Sequence, residues 1–147
     1  MKKKAILFFT LIIFPSISLS ITSLMDGSEK NACYADVDDR HKGENCIELQ
    51  WKKSNKEVDH IFNKKLSSII SDPNLMDPFN SKSEETKGSV FQKELLKSHK
   101  AWKEYKKVLC LTVASQVGEE GFDYQPTIEQ CEINMNNRRI EEINLMN

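Results

Sequence analysis

The chain has 147 residues, with 21 basic and 22 acidic side chains and a formal net charge of −1 at pH 7. That balance excludes a free nucleic-acid binder, which carries a clustered basic excess. The length accommodates one hydrophobic core but not two.

Residues 1–20 read as a secretory signal peptide. Lys2, Lys3 and Lys4 precede an apolar run from Ala5 to Phe14, and small residues follow at Ser16, Ser18 and Ser20. The run is shorter than the roughly 20 apolar residues of a membrane span. The mature protein is therefore expected to be periplasmic or secreted, with no stable membrane anchor after cleavage. Loss of the three lysines leaves 18 basic against 22 acidic groups, a net charge of about −4.

Residues 21–32 are small and polar, and are expected to form a flexible lead-in to a domain spanning 33–147. Between Cys33 and Cys46 the stretch YADVDDRHKGEN has no period and predicts a loop with at most one helical turn. From Cys46 onward Ile47, Trp51, Val58, Ile61, Phe62, Leu66, Ile69 and Ile70 recur at steps of an amphipathic helix. Pro73 stops that helix near Asp72. The segment SDPNLMDPFNSKSE is turn chemistry, and Ser81 with Glu84 offers a capping box for a second helix. Its apolar face reads Phe91, Leu95, Trp102, Tyr105, Leu109, Thr112 and Val113, leaving Lys106 and Lys107 on the solvated side. Gly118 and Gly121 end it. Pro126 suits the first turn of a third helix, with a face of Ile128, Cys131, Met135, Arg139 and Ile143. Strand-like alternation is nowhere sustained. The expected fold is all-α, three principal helices in an antiparallel array.

Cys33, Cys46, Cys110 and Cys131 all lie in the exported part, and an even count there predicts two disulfides. Three pairings are open. The nearest-neighbour pairing closes two short loops, each worth about 3 kcal/mol in the chain-entropy model. There is no C-x-x-C pair, and His41, His60 and His99 are dispersed, so neither a metal nor a cofactor is expected. Asp36, Asp38 and Asp39 lack the alternating ligands and central glycine of a calcium loop. No nucleophile–base pair or local carboxylate motif appears, and no catalytic residue is expected. Arg139 falls on the buried face of the third helix, where an isolated charge is costly. It therefore needs an ion-pair partner, within the domain or on a bound protein.

Several offsets converge. Leu95 stands seven residues before Trp102, Ala101 adjoins it, Tyr105 follows by three and Cys110 by eight. Beyond the loop, Asn136, Arg139 and Ile143 follow Cys131 by five, eight and twelve. With the upstream Cys33 and Cys46, this arrangement resembles the lysozyme-inhibitor LprI-like proteins, small exported bacterial domains, over most of residues 33–146. The resemblance implies a non-enzymatic domain that binds a lysozyme-like, peptidoglycan-degrading hydrolase. It also implies that Leu95, Ala101, Trp102, Tyr105, Asn136, Arg139 and Ile143 are structural or partner-contacting, and that Cys110 pins the second helix to the third through Cys131. Cleft occlusion by the Gly118–Gln125 loop or the Cys33–Cys46 loop is the expected mechanism, and mild acidity suits a basic lysozyme.

The sequence also departs from the pattern. Lys106-Lys107 stands where the family has Arg-Asp, and Asn136 stands where it has Thr. If the family aspartate anchors Arg139, Glu104 is the candidate replacement. If the Arg-Asp pair touches the partner, the partner differs, which suits an immunity protein against a periplasm-targeting toxin. An envelope enzyme with an unrecognised site is the reading from a different class.

Overall fold

The computed structural model describes residues 23–35, 39–82 and 84–146; the segment read as a signal peptide lies outside the described residues. Among them the order is α1 (Ser28–Tyr34), α2 (Arg40–Ser71), a 3-10 turn (Pro73–Leu75), α3 (Lys87–Ala114) and α4 (Tyr124–Leu145), with no strand. The fold is all-α, as composition and period predict. Phe62 stacks on His99, Asp59 pairs with Lys103, and Asn55 meets Lys106, so α2 and α3 run antiparallel. Cys110 with Cys131 and Ser98 with Arg139 make α3 and α4 antiparallel as well. Helix α4 packs most extensively, first against α2 and then against α3.

Helix α2 begins well before Cys46. The Asp39 side chain caps it by accepting from the His41 backbone N–H at 3.0 Å. Gly43, which as a sequence feature suggests a loop, sits in this helix because the Tyr34 ring lies against it. A Cβ there would come within 2.5 Å of that ring. The segment from Cys33 to Cys46 is thus mostly helical, with α1 and α2 meeting at the first disulfide.

Two further expectations are corrected. The flexible lead-in contains the start of α1, and side chains of α4 hold it. Asn134 Nδ2 donates to the carbonyls of Ser23 and Asp26, each at 3.0 Å, and Gln130 Oε1 accepts from the Lys30 backbone N–H at 2.7 Å. The Ser81–Glu84 capping box is not the start of α3. Thr86 caps it, accepting from the Ser89 backbone N–H, after a short loop closed by an isolated bridge between Pro78 and Thr86.

The disulfides pair nearest neighbours, Cys33 with Cys46 and Cys110 with Cys131. The apolar interior is divided into three clusters. One holds Phe62, Ile69, Leu95 and Ile143; a second holds Cys110, Val113, Cys131 and Met135; a third holds Cys33, Ile47 and Ile133. Among the described residues no helix is long and apolar enough to cross a membrane.

Candidate functional site

The residues singled out by offset fall into two groups. Leu95 and Ile143 are core residues of one cluster, and Trp102, Asn136 and Arg139 are also buried. Ala101 and Tyr105 are not: both are exposed, Tyr105 at 58%. Lys106 takes the interior place expected for Tyr105 and is 8% exposed. Two expectations are reversed here, since the tyrosine leaves the core and one of the two lysines enters it.

Lys106 is buried because it is satisfied. Its Nζ donates to Asn55 Oδ1 at 2.9 Å and to Asn136 Oδ1 at 3.0 Å, and lies 3.2 Å from Glu132 Oε2. Asn136 Nδ2 donates in turn to Ser54 Oγ and Asn55 Oδ1, and Trp51 Nε1 donates to Glu132 Oε2 at 2.8 Å. A buried ion costs several kcal/mol unless its charge and protons are matched, and this belt of side chains from all three long helices matches them.

Arg139 is anchored by Glu142, one turn along its own helix, at 2.8 Å, and Nη2 donates to Ser98 Oγ at 3.1 Å. Glu104, the acid expected to serve it, is not the partner that holds it. The guanidinium also lies over the Trp102 ring, 5.7 Å from its centroid.

A second candidate surface is the end of the bundle where both disulfide-tied segments meet. Arg40, at the start of α2, stacks its guanidinium 4.4 Å from the Phe122 ring centroid and donates from Nη2 to the Phe122 carbonyl. Phe122 sits in the α3–α4 loop and is 75% exposed. That loop turns at Gly118, whose φ of +84° lies in the left-handed region that suits glycine. Glu119, Glu120 and Asp123 are exposed around it.

Beside the loop, Glu44, Asn45, Glu48, Gln125, Pro126 and Glu129 line a cavity of about 370 Å³. Burial raises the Glu129 carboxyl above the usual range, and Glu48 and Glu132 add to the rise. A hydrogen bond from Gln125 and the charge of Lys52 oppose it. Burial, with Glu44, Asp123 and Glu129 behind it, also raises the Tyr34 phenol. The end is therefore a negatively charged surface with one aromatic projecting from it. Among the described residues, no group of three His, Cys, Asp or Glu side chains is placed to hold a metal.

The match to known families agrees with this frame. The family model described as lysozyme inhibitor LprI covers residues 31–143. The chain belongs to the LprI family. No curated protein and no solved structure matches it. The LprI match takes in both disulfides and all three long helices.

Within the LprI frame the departures acquire a physical explanation. Lys106 and Asn136 are the donor and acceptor of one buried hydrogen bond. Both side chains are interior. Lys107, the neighbour of Lys106, is exposed. Sequence reasoning missed Arg40, Phe122 and Glu129. The one local signal was a phenylalanine set in the otherwise polar run GEEGFDYQ.

Proposed function

We propose that this domain inhibits a lysozyme-type peptidoglycan hydrolase, seating the loop of residues 118–123 in the substrate cleft with Phe122 as its apolar anchor. Membership of the LprI family is the observation that carries the reading. Three features support the choice of surface. Aromatic side chains, phenylalanine among them, are enriched at the cores of protein interfaces. The loop is tethered through the Cys110–Cys131 disulfide and the Arg40 contact, which limits the order it must gain on binding. Glu119, Glu120 and Asp123 give it the charge complementary to a basic hydrolase, which speeds encounter. The activity is inhibition by binding, without chemistry of its own, after export from the cytoplasm.

The test is titration of purified mature protein against a chicken-type lysozyme, following lysis of cell-wall suspensions and binding by calorimetry. Inhibition is expected, and Phe122→Ala should weaken it about 30-fold, the value of a 2 kcal/mol anchor. Absence of both inhibition and binding at micromolar concentration would sink the reading. Inhibition untouched by Phe122→Ala would move it to another surface.

A further inference from the structure

The cavity between α2 and the first turns of α4 has an unbalanced wall. Glu44, Glu48 and Glu129 line it, and none of its lining side chains is basic. Two of the three carboxylates are matched from outside the wall, Glu44 by Arg40 at 2.6 Å and Glu48 by Lys52 at 2.5 Å. Glu129 is 5% exposed and takes part in no ion pair among the described residues. Its one hydrogen bond is at Oε1, from Gln125 Nε2 at 3.0 Å, which leaves Oε2 without a donor. That oxygen is not sealed in. Among the described residues, the enclosed polar side-chain atoms that lack a partner belong to His99 and Arg139. Oε2 therefore opens on the cavity that Glu129 lines.

A carboxylate so far from bulk water, with neither a cation nor a full set of donors, is costly to the fold. Beyond the effect of burial, Glu44, Asp123 and Glu129 raise the Tyr34 phenol, and Glu48 and Glu132 raise Glu129 itself. Groups on two helices thus register one negative field. No three acidic or imidazole side chains among the described residues are placed to hold a metal. What the wall offers instead is one charged oxygen with amides beside it, Asn45 and Gln125, the latter with its Oε1 unengaged. A guanidinium is planar, weakly hydrated and carries five N–H donors, so it meets several such acceptors at once; an ammonium gives up its water less readily. At about 370 Å³ the cavity has room for it. Arg40 joins the cavity to the loop, holding Glu44 on the wall and stacking on Phe122.

We propose that this cavity binds a guanidinium group at Glu129 Oε2, and that in the inhibitory complex the group is an arginine side chain of the hydrolase, seated beside Phe122. The second half rests on the inhibitor reading above; the first stands without it.

Titration of the ¹⁵N-labelled mature protein at pH 7 with N-acetyl-arginine amide, followed by NMR, tests the cavity. The signals of Glu44, Glu48 and Glu129 should shift with a Kd of about 1 mM, the scale for so small a ligand, and N-acetyl-citrulline amide, the neutral isostere, should leave them still. Glu129→Gln should weaken the arginine probe at least about tenfold, whereas Glu57→Gln, exposed further along α2, should change nothing. Because the free carboxylate burdens the fold, Glu129→Gln should also melt no lower than the parent, which separates lost binding from lost structure. A lower melting temperature would show the carboxylate already partnered and would overturn the site, as would equal binding of the citrulline probe or no binding of either. Against lysozyme, Glu129→Gln should weaken inhibition about tenfold. Probe binding with inhibition unmoved by Glu129→Gln would overturn the partner arginine and assign the site to a free guanidinium compound. Absence of inhibition by the parent would overturn the inhibitor reading instead, and the probe titration would still decide the cavity.

Discussion

Replacing Lys106 with methionine keeps the alkyl stem in place and deletes the ammonium. Asn136 Oδ1 then loses its donor, while Asn55 Oδ1 keeps only Asn136 Nδ2 and Glu132 Oε2 loses its cation. Asn136 is fully buried and the Glu132 side chain is 14% exposed, so water replaces the lost partner poorly. Glu132 keeps its hydrogen bond from Trp51 but is left as a largely unpaired interior charge. Removing one partner of such a set costs about 3 kcal/mol, or about 10 °C in Tm for a domain of this size. Urea and thermal melts followed by circular dichroism measure it. Lys107→Met, on the exposed neighbour, is the control and should stay within about 0.5 kcal/mol. Adding Glu132→Gln to Lys106→Met should recover at least about 1 kcal/mol relative to the sum of the single changes, because the stranded charge disappears with its partner. Equal losses at positions 106 and 107, or strict additivity of the double change, would refute an interior ion pair.

Burial, followed by the charges of Lys103 and Arg139, lowers His99 to about 4, against the opposing pull of Asp59. An unfolded histidine titrates near 6.5, so the unfolded chain takes up the proton first. Stability should be complete above that pH and decline by up to about 3 kcal/mol as pH falls to about 4; His99→Phe should flatten the slope in pH-dependent urea melts. Trp102→Ala should cost about 3–5 kcal/mol, whereas Tyr105→Ala should cost less than about 1 kcal/mol; chemical denaturation that ranks them the other way would contradict the burial pattern. Converting Cys110 and Cys131 together to serine should cost about 3 kcal/mol through the loop they close, read as a lower denaturation midpoint.

Helix positions were legible where residue type and period agreed, as at Leu95, Cys131 and Ile143. They were misread where the two conflicted. With about 100° per residue, Lys106 lies roughly 10° from the centre of the stripe through Leu95, His99, Trp102, Cys110 and Val113, and Tyr105 roughly 100° from it. Angle alone places the lysine inside and the tyrosine outside. Residue preference reversed them, because an interior lysine requires acceptors supplied by α2 and α4, which no local window contains. The same reason hides the ordering of residues 23–31. Their polar sequence has no period, and what fixes them is Asn134 and Gln130, 100 or more positions away. The early start of α2 was hidden by Gly43, whose role is fixed by the Tyr34 ring. The loop holding Phe122 was legible as a candidate surface, but its meeting with the start of α2 was not, because Arg40 reaches it from a different helix.

The belt around Lys106 has a consequence for how the helices find their alignment. Three long rods with apolar faces can slide along one another with little change in the area they cover. A slip of one turn, roughly 5.4 Å, would part the Lys106 ammonium from Asn55, Asn136 and Glu132 together. The belt therefore works as an indexing pin. It penalises a slip of α3 against α2 or α4, and ties α4 to one height relative to α2.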